Sequence, residues 1–208
     1  MPTRVLVTCA ALFFLGLPRA ALADEAVGVR NAPEGSRDRF AIGIEVGLVI
    51  PVADKPLCPS GSECLFGAGL AVGIPFSYRW KQGTGLGFSY ELWVQNSDGV
   101  YQSTVSQAFA VLLRHSFLAD RSLRPLLRAR GGVLILGPTF GVDTVGGTAE
   151  IAFGGETDIN RSTVFSFLLG GQVLSTRPFT TSADGVRRAE GGGVNAALVF
   201  RVGIAYLL

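Results

Sequence analysis

From Phe40 to the last residue, apolar side chains fall at alternate positions in one segment after another. In Phe40–Ile50 every even position is apolar, while Ala41, Gly43, Glu45 and Gly47 are small or charged. Leu65–Trp80 repeats the pattern, with Phe66, Ala68, Leu70, Val72, Ile74, Phe76, Tyr78 and Trp80 opposite mostly small residues and Arg79. A period of two with one apolar face predicts β-strands. Six further strands follow over Gly85–Gln95, Thr104–Leu118, Leu126–Gly137, Thr148–Gly155, Ser162–Thr176 and Gly193–Leu208. In the fourth, Leu112 and His115 blur the alternation, and the sixth is the weakest pattern. No stretch shows sustained helical periodicity.

The connections sort themselves by length. Short links are expected after Trp80, Leu118 and Gly155, and longer ones over Pro51–Glu63, Asn96–Ser103, Pro138–Gly147 and Arg177–Gly192. Tight turns at one end and long loops at the other are the pattern of an outer-membrane barrel, whereas a soluble meander has no reason to sort its loops. The final strand, of about sixteen residues, exceeds the usual five or six. Such length suits an apolar face against lipid and a second face lining a closed interior. The fold class expected is all-β, an eight-stranded antiparallel transmembrane β-barrel.

The start of the chain fits export. Met1–Ala23 reads as a signal peptide, with Arg4 ahead of an apolar run over Val5–Leu17 and a small-residue site at Ala21-Leu22-Ala23. This core of thirteen residues falls short of the ~20 of a membrane helix. Cys9 does not make a lipoprotein signal, because Thr8 stands where a small Gly, Ala or Ser is needed. Residues 24–38 form a polar, flexible periplasmic lead-in, and 39–208 the barrel. The leader holds two of the 18 basic residues, which leaves sixteen against 16 acidic ones. That balance excludes a nucleic-acid partner, which needs a basic face. A mean hydropathy of +0.40 with 28 glycines is odd for a soluble secreted domain.

These features together resemble the small eight-stranded outer-membrane β-barrels, the class of the membrane domain of outer membrane protein A and of outer membrane protein X. The resemblance covers roughly Phe40–Leu208. Val202, Ile204 and Tyr206 match that class's C-terminal assembly signal, although Leu208 stands where Phe is usual. It implies a bacterial outer-membrane location, periplasmic termini, contact with outer-membrane lipid, and recognition by the barrel-insertion machinery. No peptidoglycan-binding domain follows, so a cell-wall tether is not implied.

Candidate chemistry lies on the inner faces. Glu45, Arg79, Glu91, Arg114, Arg128, Arg130, Glu150 and Arg201 would all point inward. Isolated charges there are costly, so they are expected to pair. Glu45 with Arg79, and Glu91 with Arg79 or Arg114, lie on neighbouring strands and can meet. Five arginines against three glutamates leave a basic surplus that interior water or a bound anion must screen. The expected role is structural or surface-interaction, with loops 51–63, 138–147 and 177–192 offered to a surface ligand. The alternatives are a narrow anion-preferring channel, or a soluble secreted lipocalin-like barrel.

No enzyme is expected. His115 is the only histidine, and its neighbour Ser116 faces the other side of the strand. Cys58 and Cys64, exported together, are expected to form a disulfide. Two thiols without a histidine are no zinc set, and no metal or cofactor is expected. Tyr78, Trp80, Phe117 and Tyr206 should form an interfacial aromatic girdle on the periplasmic side. The parity of Trp93 turns it inward or to the mouth, and it has no assigned role.

Overall fold

The computed structural model describes residues 38–53, 56–96, 100–101, 104–118, 121–138, 141–190 and 193–208. The expected signal peptide, and the lead-in apart from Asp38, lie outside the described residues. Eight long strands close into one antiparallel barrel: β1 Arg39–Ala53, β2 Gly69–Arg79, β3 Thr84–Gln95, β4 Thr104–Ser116, β5 Leu123–Pro138, β6 Thr144–Asn160, β7 Thr163–Thr176 and β10 Val194–Leu207. Two short strands, β8 Phe179–Thr180 and β9 Arg187–Arg188, pair with each other inside the last loop. Each long strand pairs with its neighbours in the chain, and β1 pairs with β10, from Ala41 opposite Leu207 to Pro51 opposite Ala197.

The alternation becomes two surfaces. Phe40, Ile42, Ile44, Val46, Leu48, Ile50 and Val52 point outward from β1, and Ala41, Gly43, Gly47 and Val49 are buried inside. On the same outer wall Phe88, Ile151 and Leu169 are 66%, 67% and 62% exposed. Soluble monomers rarely present a contiguous apolar patch above a few hundred Å². A wall of this kind, on strands of 11 to 17 residues, is suited to hydrocarbon.

At one end the connections are tight. Between β2 and β3, Gly83 at φ +87° reverses the chain, and its N–H donates to the Trp80 carbonyl at 3.0 Å. That left-handed backbone is strained for any residue with a Cβ. The other short connections run over 117–122 and 161–162. The long loops gather at the opposite end.

Three expected boundaries are corrected. The second strand starts at Gly69 and not Leu65, and Phe66, expected on the outer face, is 1% exposed in the interior. The segment before β2 folds back over the loop end, with the Leu65 N–H donating to the Leu57 carbonyl. The sixth strand runs over Thr144–Asn160, well beyond 148–155, so that the expected turn 156–161 is mostly strand. The fifth begins at Leu123, which brings Arg124 inside. In each extension the neighbouring strand supplies partners: Arg124 lies opposite Glu156 and Leu123 opposite Thr157. Pairing overrides the turn-like composition of Gly154-Gly155-Glu156-Thr157-Asp158.

Candidate functional site

Apart from Glu45 and Arg79, the inward residues of β1 and β2 are mostly small, which leaves room for long side chains from the other strands. At mid-height a cluster of three arginines and three glutamates fills it. Glu150 on β6 is fully buried and meets three guanidinium groups: Arg128 at 2.9 Å, Arg130 at 2.5 Å and Arg201 at 2.9 Å. Arg128 also reaches across the barrel to Glu45 at 2.6 Å, joining β5 to β1 on the opposite wall. Glu91 pairs with Arg130 at 2.7 Å and with Arg201. Arg130 and Glu150 are direct cross-strand partners and Arg128 meets Glu150 diagonally on the same strand pair, whereas the other contacts join strands that are not neighbours in the barrel. A narrow barrel lets an arginine reach the axis, so strand adjacency does not decide who pairs.

Nearer the short-turn end lies a second cluster around Glu156. Its carboxylate takes Arg124 at 3.2 Å, Arg79 at 3.4 Å, Arg114, and the Ser116 hydroxyl at 2.6 Å. Arg124 continues to Asp158 at 2.5 Å. Arg79 and Arg114 therefore serve Glu156 and not Glu45 or Glu91. Sequence reasoning missed Glu156, Arg124 and Asp158 because all three fell in supposed turns. The signal was there: Glu156 shares the parity of Glu150, as Arg124 does that of Arg128 and Arg130.

The loop-end half is of another kind. Trp93 is fully buried among Val49, Leu134, Leu136, Leu174 and Val199 from the wall. Leu57, Leu65, Phe66, Val100, Tyr101, Phe179 and Ala189 close over it from the loops. This plug gives Trp93 its place. The disulfide Cys58–Cys64 pins the first loop, and Cys58 packs against the plug.

Polar contacts knit the four loops into a cap. Arg188, with no exposed surface, donates to Asp184 at 2.7 Å and to the Glu63 carbonyl at 2.9 Å, and the Ala189 N–H donates to the Pro56 carbonyl. Asp143 accepts from the Tyr101 hydroxyl and from the Ser182 N–H at 3.1 Å. The Tyr101 phenol titrates above its ordinary range because it is desolvated and bonded to Asp143. The hydrogen bond from Arg188 holds the Asp184 carboxyl below the usual carboxylate range.

On the outer face at the short-turn end, Tyr78 stacks edge-on between Phe40 and Trp80, with ring centroids 4.9 and 5.6 Å away. Phe117 and Tyr206 are 41% and 51% exposed there. The His115 ring lies outside against Phe117, with Nδ1 3.0 Å from the Thr84 hydroxyl. Ser116, by contrast, is buried within.

No protein-family model and no curated protein matches the chain. Solved structures do. The crystal structure of Neisserial surface protein A aligns at a TM-score of 0.52 and 11% identity, over 80% of this chain and 96% of that one. The outer membrane protein OprG from Pseudomonas aeruginosa aligns at 0.50 and 13% identity, over 83% and 97%. The fold is that of the small eight-stranded outer-membrane β-barrels. The lumen of this barrel is ionic in its short-turn half and closed by an apolar plug in its loop half.

Proposed function

We propose that this barrel has a structural or surface-interaction role in the outer membrane and does not conduct solute. The observation that carries the reading is the doubly filled interior: buried ion pairs below, and above them a plug in which Trp93, Leu134 and Phe66 are at most 1% exposed. The interior of an eight-stranded barrel is just wide enough to be filled by side chains. In this reading the short turns are periplasmic and the capped loops face outward. The rigid cap around Cys58–Cys64, Asp143 and Arg188 is then the surface a ligand would meet. The lipid-facing wall contacts outer-membrane lipid, and β10 is the element the barrel-insertion machinery would engage. Catalysis is not part of the reading, since His115 and Ser116 sit on opposite faces of β4.

Planar-bilayer recording tests it. The purified barrel should give no reproducible conductance steps. Anion-selective steps that vanish on Arg128→Ala would overturn the reading in favour of a narrow channel. An unboiled sample should also migrate differently from a boiled one on electrophoresis, as a folded barrel does.

A further inference from the structure

Between the two ion clusters lies a cavity of about 20 Å³. Its charged lining is Arg79, Arg114, Arg128 and Glu45, and Ser77 and Ser166 complete its polar wall. The Nε–H groups of Arg79, Arg114 and Arg128 are buried without an acceptor. Both oxygens of Glu45 already accept from Arg128, at 2.6 and 2.7 Å, so its charge is engaged. The two clusters together set six arginines against four glutamates and Asp158, which leaves one positive charge unbalanced.

We propose that this cavity is a binding site for one small monovalent anion, chloride under ordinary salt, held by the free Nε–H groups of Arg79, Arg114 and Arg128. The space admits a single particle of about the size of water, which needs roughly 10–15 Å³ by the same measure. Water accepts at most two hydrogen bonds and carries no charge. A halide accepts three or more and cancels the surplus. The plug above makes the site a dead end, a structural anion and not a station on a path. It goes beyond the proposed role and stands or falls separately from it, since conductance tests the one and halide occupancy the other.

The test uses the whole refolded barrel. A crystal soaked in sodium bromide is expected to give an anomalous peak within hydrogen-bond reach of at least two of the three Nε atoms. At fixed sodium, with gluconate as the balancing anion, the thermal midpoint should climb as chloride replaces gluconate. The rise expected is about 3–6 °C for each tenfold increase above the dissociation constant. Ser166→Val fills the cavity while keeping every charge, and should flatten that dependence. Should that variant not fold, the bromide map and chloride series on the native protein decide alone. Equal midpoints in chloride and gluconate, a water peak without bromide, or a bromide peak without chloride-dependent stability (an adventitious ion only) would each overturn the proposal.

Discussion

The two halves of the lumen solve the same packing problem with opposite chemistry. The short-turn half is filled by arginine and glutamate, each carboxylate held by one to three guanidinium groups. The loop half is filled by Trp93 with other aromatic and aliphatic side chains, beside buried Gln95, Ser106 and Asn195 from the wall. Apolar packing is tolerant of a shape-conserving swap, and often loses less than ~1.5 kcal/mol. A buried ion network is not, because removing one partner strands the rest. The lower half is therefore brittle and specific, the upper one forgiving.

That contrast can be broken most directly at Glu150. Glu150→Gln keeps the shape but leaves Arg128, Arg130 and Arg201 short of a counter-charge. It should lower the unfolding free energy by about 3–5 kcal/mol, read as a fall in the urea midpoint. Trp93→Phe is the matching change above. It gives up some contact area, yet it also removes an indole N–H that is buried without an acceptor, so the loss should be about 1 kcal/mol on the same measurement. If Trp93→Phe costs as much as Glu150→Gln, the contrast between the halves is wrong.

The smallest effect should come from the cap. Asp184→Asn should leave the barrel's midpoint unmoved while speeding proteolysis within 177–192. Because the Asp184 carboxyl is depressed in the folded loop, its contribution is complete above the unfolded value of about 3.8 and is lost only as pH falls through its lower folded value. Loop protection in the native chain should thus persist at mildly acidic pH and fail only in strong acid. Loss of protection near neutrality would contradict the Arg188–Asp184 clamp.

Much of this was legible because a strand with one lipid face must alternate. The outward set of β1 was read residue by residue from Phe40 to Ile50, and so was the parity that turns Trp93 away from the outer face. What parity could not give was partnership. The residues that meet at the axis, such as Glu45 and Arg128, come from opposite walls, and no local pattern encodes that. Glu156 was hidden by composition, since glycines and acids mimic a turn until a paired strand claims them. Phe66 was hidden for the converse reason. An apolar alternation continues through Leu65–Ala68, and nothing in it distinguishes a strand facing lipid from a loop folded into the mouth.

The seam between β1 and β10 carries a further consequence, for the order of events. Every other strand has a sequence neighbour as partner on each side, but the seam joins the two most distant strands of the described barrel. Contacts of such separation form slowly, since a long loop must close before they reward it. Until they do, β1 and β10 each present a row of unsatisfied backbone groups, in a chain already carrying its apolar belt. The twelve or so β1–β10 pairings are therefore what removes the last open edge of the sheet, and a barrel lacking them would offer both edges to wrong partners.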